Sequence, residues 1–256
     1  IVNAANSLIA KNKNQIQKEV FSKKHTGDKI NLIKAYTDSE EGIKVANAIM
    51  DTKLQNQNMF SEFAILYRTN AQSRGLEEAL LKKAIPYKVI GGLKFYDRKE
   101  VKDILAYLRC ILNPSDPVAF QRIINTPTRG IGAKSLEVLS EYKNNFWISY
   151  FQIIENSMEI EELRPAARNS LYEVYQLFEN LFDTSKELSV SLLIWKIIEE
   201  TRYEDFLKRE FSGDEFDSKK ENLRELQNVA SEYDGLAPRE WLSLFLEEVA
   251  LISDLD

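Results

Sequence analysis

Three short segments of this 256-residue chain combine residue types that could hold a polyanion. The first is Tyr67-Arg68-Thr69-Asn70-Ala71-Gln72-Ser73-Arg74, between an apolar run and an amphipathic one. Arginine grips phosphate oxygens with a two-pronged fork and asparagine reaches sugar or base edges, so Arg68, Asn70 and Arg74 suit a nucleic-acid backbone. A plain polar loop with Asn70 as helix N-cap is the competing reading. The second is Gly91-Gly92-Leu93-Lys94-Phe95-Tyr96-Asp97-Arg98-Lys99, where cations flank two aromatics after a glycine pair. Stacking surfaces beside cations suit single-stranded nucleic acid, and Phe95 and Tyr96 could instead plug a core at a domain junction. The third is Thr126-Pro127-Thr128-Arg129-Gly130-Ile131-Gly132-Ala133-Lys134. Its Gly-Ile-Gly turn frees backbone N–H groups at a helix start, whose positive dipole end attracts phosphate, with Arg129 and Lys134 as reinforcement. A simple helix connection with glycine at a left-handed cap fits the same residues.

The elements that would position these segments change character along the chain. Residues 29–36 alternate apolar and polar side chains, 63–67 are an apolar run, and 87–90 precede the Gly91-Gly92 pair, as strands do. Between them 38–54 and 71–83 carry apolar residues at helical spacing. This is the β-α-β-α-β order of a parallel sheet with crossover helices. Strand signals then stop. Asp97 reads as a helix cap with Glu100 three residues on, and Val101, Ile104, Leu105, Leu108, Ile111 and Leu112 make one apolar face before Asn113-Pro114. Further helices are expected over 118–125, 133–144, 147–155, 165–182, 190–200, 219–233 and 238–251. The predicted fold class is α/β followed by all-α, with the division at 1–92 and 93–256.

Composition removes much other chemistry. With 44% hydrophobic residues, 29% charged, nine glycines and six prolines, the chain is neither collagen-like nor disordered. One histidine (His25, read as a solvated loop residue) and one cysteine, Cys110, cannot build a usual zinc site or a Cys-His dyad. A lone cysteine within an apolar run makes the cytoplasm the expected compartment, and no run approaches a membrane span. No G-x-x-x-x-G-K-[ST] phosphate loop is present. Asp214-Glu215 follows Phe211-Ser212-Gly213 rather than a buried strand, so it does not read as an acidic metal motif. The formal net charge of −6 conceals a gradient: residues 64–140 hold 13 Lys/Arg against 7 Asp/Glu, and residues 141–256 hold 12 against 26. A basic middle suits a local polyanion contact, and a helix surface laced with pairs such as Lys99/Asp103 is the alternative.

Taken together, the wording of three stretches resembles the middle of a PcrA/UvrD/Rep-type superfamily-one DNA helicase. They are Ala64-Ile65-Leu66-Tyr67-Arg68-Thr69-Asn70-Ala71-Gln72-Ser73-Arg74, the run from Pro86 through Gly-Gly-Leu-Lys-Phe-Tyr-Asp-Arg-Lys to Arg109, and Asn125-Thr126-Pro127-Thr128-Arg129-Gly130-Ile131-Gly132. The last also resembles the hairpin of helix-hairpin-helix DNA binders. The similarity is dense over 63–139 and weaker at both ends, where Ile1–Ile9 looks like the helix after the family's Asn-Tyr-Arg-Ser motif. It implies that 1–92 is part of the second RecA-like domain, 2A, and 93–256 its inserted helical subdomain, 2B. It implies that Arg68 and Asn70, with Arg74 in the same loop, contact single-stranded DNA, and that Lys94 touches its phosphates beside a hinge at Gly91 and Gly92. Arg129, Gly130, Ile131, Gly132 and Lys134 would approach the duplex ahead of the junction.

The same resemblance places the ATP and Mg sites of the parent outside this chain, which begins without methionine and reads as cut from something longer. No cofactor and no catalysis of its own are expected. The expected role is non-specific DNA binding within an ATP-dependent 3′–5′ helicase. Two rivals are a module, centred on acidic residues 141–256, that docks repair or transcription proteins or inhibits the motor, and part of a RecB/AddA-type helicase-nuclease. Unpaired edges of a partial sheet would favour a dimer.

Overall fold

The computed structural model describes residues 1–12, 20–23, 27, 29–235 and 238–254; His25 lies outside them. The helices run α1 Val2–Ile9, α2 Asp38–Asn56, α3 Ser73–Lys82, α4 Lys99–Leu112, α5 Pro117–Ile123 and α6 Ala133–Phe146. They continue as α7 Tyr150–Glu155, α8 Pro165–Thr184, α9 Val190–Glu200, α10 Tyr203–Glu210, α11 Asp214–Ser231 and α12 Pro238–Asp254. Short 3-10 turns at Asn70–Gln72 and Phe95–Asp97 precede α3 and α4.

The expected α/β portion is not formed. Among the described residues there is no strand, and hence no RecA-like parallel sheet. Alternating side chains are only half of a strand; its backbone groups also need a neighbouring ladder, and 29–36, 63–67 and 87–90 do not pair with one another. Residues 29–36 are exposed throughout, and Leu66 and Ile90 stand 95% and 80% exposed. In place of covering a sheet, α2 and α3 pack on each other around Ala46, Ile49, Ala79, Leu80 and Ile85. Gly42 makes that approach possible, because a Cβ there would collide with the Gly75 carbonyl. The edge-paired dimer loses its basis with the sheet.

Helix α2 starts where reciprocal capping allows it. Thr37 Oγ1 accepts the Glu40 N–H at 3.1 Å while the Glu40 carboxylate accepts the Tyr36 N–H at 2.7 Å. Helix α4 starts later than its sequence suggests: Arg98 is its N-cap and Asp97 instead pairs with Lys102 at 2.6 Å. Nor do Lys99 and Asp103 pair. Lys99 lies over the Phe206 ring, and Asp103 accepts from Arg122 and from the Tyr203 hydroxyl at 2.7 and 2.6 Å.

The main core gathers around α4, with Val101, Ile104, Tyr107, Leu108 and Cys110 at 0% exposure. Helices α5, α8, α9, α11 and α12 all pack against it. Beyond the apolar face that its period predicts, Ala106, Tyr107 and Cys110 are buried too, so the helix is enclosed on nearly every side. Phe95 and Tyr96 belong to this core, edge to face at 5.0 Å between centroids, so they are plugs and not an open stacking surface.

Burial also pushes the Cys110 thiol well above its ordinary range, and Asp116 adds to the shift. The thiolate is the reactive form, so Cys110 should resist a disulfide reagent such as DTNB in the native protein and react fully in denaturant. Rapid native labelling would show that α4 opens.

Candidate nucleic-acid interface

The 126–134 hairpin is built from inside. Tyr107, buried on α4, donates its hydroxyl to the Thr126 carbonyl at 2.7 Å. Asn125 Oδ1 accepts the backbone N–H groups of Arg129 and Ile131 at 2.7 and 3.3 Å, folding the loop around one side chain. Ile131 is 1% exposed and anchors the turn in the core. Arg129 turns inward too: its guanidinium donates to the carbonyls of Ile123 and Ile124 at 2.8 and 3.1 Å and to the Tyr107 hydroxyl. It therefore satisfies the open C-terminal end of α5.

What remains outside is Gly130, Gly132 and Lys134, all exposed. Gly130 adopts φ +74°, a left-handed conformation that L side chains rarely hold. Gly132 is the N-cap of α6 and supplies no side-chain hydrogen bond, so no side chain caps the first N–H groups of α6, the turn that carries Lys134. A helix N-terminus with a cation and no competing carboxylate cap is an anion cradle.

The 67–74 segment divides in the same way. Gln72 Oε1 accepts the N–H groups of Arg68 and Thr69 at 2.9 and 3.1 Å, which fixes the turn and leaves the Arg68 side chain exposed without an acceptor among the described residues. Asn70 is exposed and donates to Ser218 Oγ on α11 at 3.3 Å. Arg74 is only 6% exposed and bridges Glu225 and Glu78 at 2.5 and 3.0 Å. Burial opposes its charge, but the two carboxylates outweigh burial and hold it more firmly protonated than a free arginine.

A buried polar seam adjoins Arg74, and no sequence signal announced it. Arg98 donates to Asn222 Oδ1 and Ser73 Oγ, both at 2.8 Å, and Asn222 Nδ2 donates to Glu100 at 2.5 Å. Ser73 Oγ in turn donates to Glu77 at 2.6 Å. Burial raises the Glu77 carboxyl and lowers the Arg98 guanidinium from their ordinary values, with the hydrogen bonds to Glu77 and the acidic neighbours of Arg98 opposing. Asn222 lies more than 100 residues along the chain from Arg98 and Glu100, beyond the reach of local spacing.

Lys94 is half-buried with its ammonium over the Tyr87 ring at 5.4 Å. Gly91, at φ +78°, and Gly92 are exposed. Of the basic middle, Arg74, Arg98 and Arg129 are thus held internally and Arg122, itself exposed, is paired with buried Asp103, whereas Arg68, Arg109 and Lys134 are exposed with no side-chain partner among the described residues. A cleft of about 490 Å³ lies against residues 33–38, Glu41 and Val45, and none of the candidate residues lines it.

The donor sets do not fit ATP or Mg. Phosphate-loop glycines are absent from the sequence, and among the described residues no three His, Cys, Asp or Glu side chains gather. Nor is any helix among the described residues long and apolar enough to cross a membrane.

Residues 1–256 match the family described as UvrD-like helicase C-terminal domain. The ATP-dependent DNA helicase PcrA of Bacillus subtilis (strain 168) is 40% identical over 256 residues, covering 100% of this chain and 34% of the relative. PcrA of Staphylococcus epidermidis (strain RP62A) is 39% identical over 258 residues, and that of Staphylococcus aureus (strain Mu50) 36%, each covering 100% of this chain and 35% of the relative. The chain spans about a third of the length of these curated relatives. It belongs to the UvrD-like helicase C-terminal domain family, and its likeness to PcrA/UvrD-type superfamily-one helicases extends along its whole length.

Proposed function

We propose that this chain supplies DNA contacts and a regulatory helical module, 2B, to an ATP-dependent 3′–5′ DNA helicase. The observation that carries the reading is the Gly130-Ile131-Gly132 hairpin, whose buried half is braced by Asn125, Arg129 and Tyr107 while its exposed half presents Lys134 and the uncapped start of α6. Backbone N–H groups and one cation hold phosphate without reading bases, so duplex binding here is independent of sequence. Arg68 and Asn70 contact the single strand from the opposite side of the Gly91-Gly92 hinge, and Lys94 beside the hinge contacts its phosphates. Residues 1–92 and 93–256 are the two parts the hinge joins. ATP and Mg act in the parent through groups other than those described here, and binding is the activity to be measured for this chain. The PcrA names of the relatives favour a helicase without a fused nuclease.

A second role rests on a separate observation. The acidic region 141–256 exposes Trp147 at 93%, held at φ +56° after α6, which suits docking of a protein partner, such as a repair or transcription protein.

Fluorescence anisotropy with a 3′-tailed duplex, a blunt duplex and a single strand, at several salt concentrations, tests the main reading. Binding should weaken with salt and favour duplex or junction. Lys134→Ala should lower affinity uniformly across sequences and reduce the salt slope by about 1. Absence of binding even at low salt would refute it.

A further inference from the structure

Ser218, Asn222 and Glu225 stand at i, i+4 and i+7, on one face of α11. Each reaches a different part of the 68–74 and 98–100 segments. Ser218 Oγ accepts from Asn70 at 3.3 Å, Asn222 joins Arg98 to Glu100, and Glu225 holds Arg74 at 2.5 Å. Lys219, next along the helix, adds an ion pair to Glu100 at 3.2 Å. The apolar residues of the same helix, Leu223, Leu226, Val229 and Ala230, are buried in the main core with α4 and α9. Helix α11 is therefore rooted in the helical body and meets the 70–74 turn through the hydrogen bonds of Ser218 and Glu225.

We propose that this face of α11 positions the Arg68–Asn70 turn, so that residues with no nucleic-acid contact of their own set the affinity of the chain for single strand. The inference rests on the reading of Arg68 and Asn70 as strand contacts. The turn has few other constraints. Gln72 closes it locally, Arg68 projects freely, and Asn70 is tied to the body only through Ser218 among the described residues. Arg74, the second residue of α3, is clamped by a carboxylate of α11, so the direction in which the turn enters α3 is fixed from the body. Hydrogen bonds and ion pairs can be exchanged with little loss of buried apolar area, so this linkage can be altered while the core stays intact.

The test uses the whole 256-residue chain with Ser218→Ala, Ser218→Thr and Glu225→Gln. Amide hydrogen exchange at Arg68 and Thr69, whose N–H groups bond to Gln72, reports the turn without any ligand. Ser218→Ala and Glu225→Gln should each speed that exchange about tenfold while exchange in α4 is unchanged. Affinity for an oligothymidylate should fall about threefold to tenfold, non-additively with Asn70→Ala. Ser218→Thr, which keeps the hydroxyl, should restore both readouts. Unchanged exchange at Arg68 and Thr69 in both variants would overturn the positioning role, as would effects additive with Asn70→Ala. Faster exchange with affinity unchanged, in Arg68→Ala as well, would leave the positioning role standing and remove the strand-contact reading beneath it.

Discussion

Arg74→Ala is expected to destabilise the fold by about 3–5 kcal/mol, because it strands two carboxylates in the interior. Glu225 and Glu78 are 12% and 16% exposed at their side chains, and both take their charge-assisted hydrogen bonds from this guanidinium. At this chain length the thermal midpoint should fall by about 10 °C. Arg68→Ala, six residues away and exposed, should leave stability within about 0.5 kcal/mol and act on DNA affinity instead. Thermal unfolding followed by circular dichroism separates the two. An Arg74→Ala protein with an unchanged midpoint and weakened DNA binding would mean that Arg74 is a nucleic-acid contact after all.

Arg129→Ala should destabilise by about 2–3 kcal/mol, since three acceptors lose a charged donor at once. The Ile123 and Ile124 carbonyls at the end of α5 and the Tyr107 hydroxyl would be left without it. Arg129→Lys should recover little, because one ammonium cannot span the positions a guanidinium fork reaches. Loss of DNA binding in Arg129→Ala would therefore reflect a slack hairpin as much as a missing charge. Lys134→Ala, exposed and outside these hydrogen bonds, should leave the midpoint unchanged and so isolates the proposed phosphate contact. Equal midpoints for wild type and Arg129→Ala would contradict the bracing role.

The helices were largely legible because their signal is local. The period of Val101, Ile104, Leu105 and Leu108 is visible without knowing what covers them, and α9 spans Val190–Glu200 as its apolar spacing predicts. The short amphipathic helix α10 had weaker punctuation and escaped notice. The sheet misled for the opposite reason. Phe63, Ile65 and Tyr87 have the side chains of strands and do pack on the α2–α3 cluster, but a ladder depends on a partner that no residue in the segment encodes.

For the candidate segments, the sequence shows where cations cluster and not what holds each of them. All three segments read as polyanion contacts carry arginine, and arginine meets a phosphate, a carboxylate and a helix-end carbonyl with the same five donors. Arg74 finds Glu225 from 151 residues away, so in the first and third segments only the exposed Arg68 and Lys134 keep the open cation that the spacing suggested. The Glu78 partner, four residues on from Arg74, was the one local hint of an internal ion pair.

The exposed half of the 126–134 hairpin is the proposed duplex contact, and amide NMR shifts during titration with a blunt duplex read it most directly. At low salt the N–H signals of Gly130, Gly132, Ala133 and Lys134 should move first and furthest and return as salt is raised, while those of the buried α4 core stay still. Shifts confined to other surfaces, with the hairpin amides unmoved at saturating duplex, would contradict it.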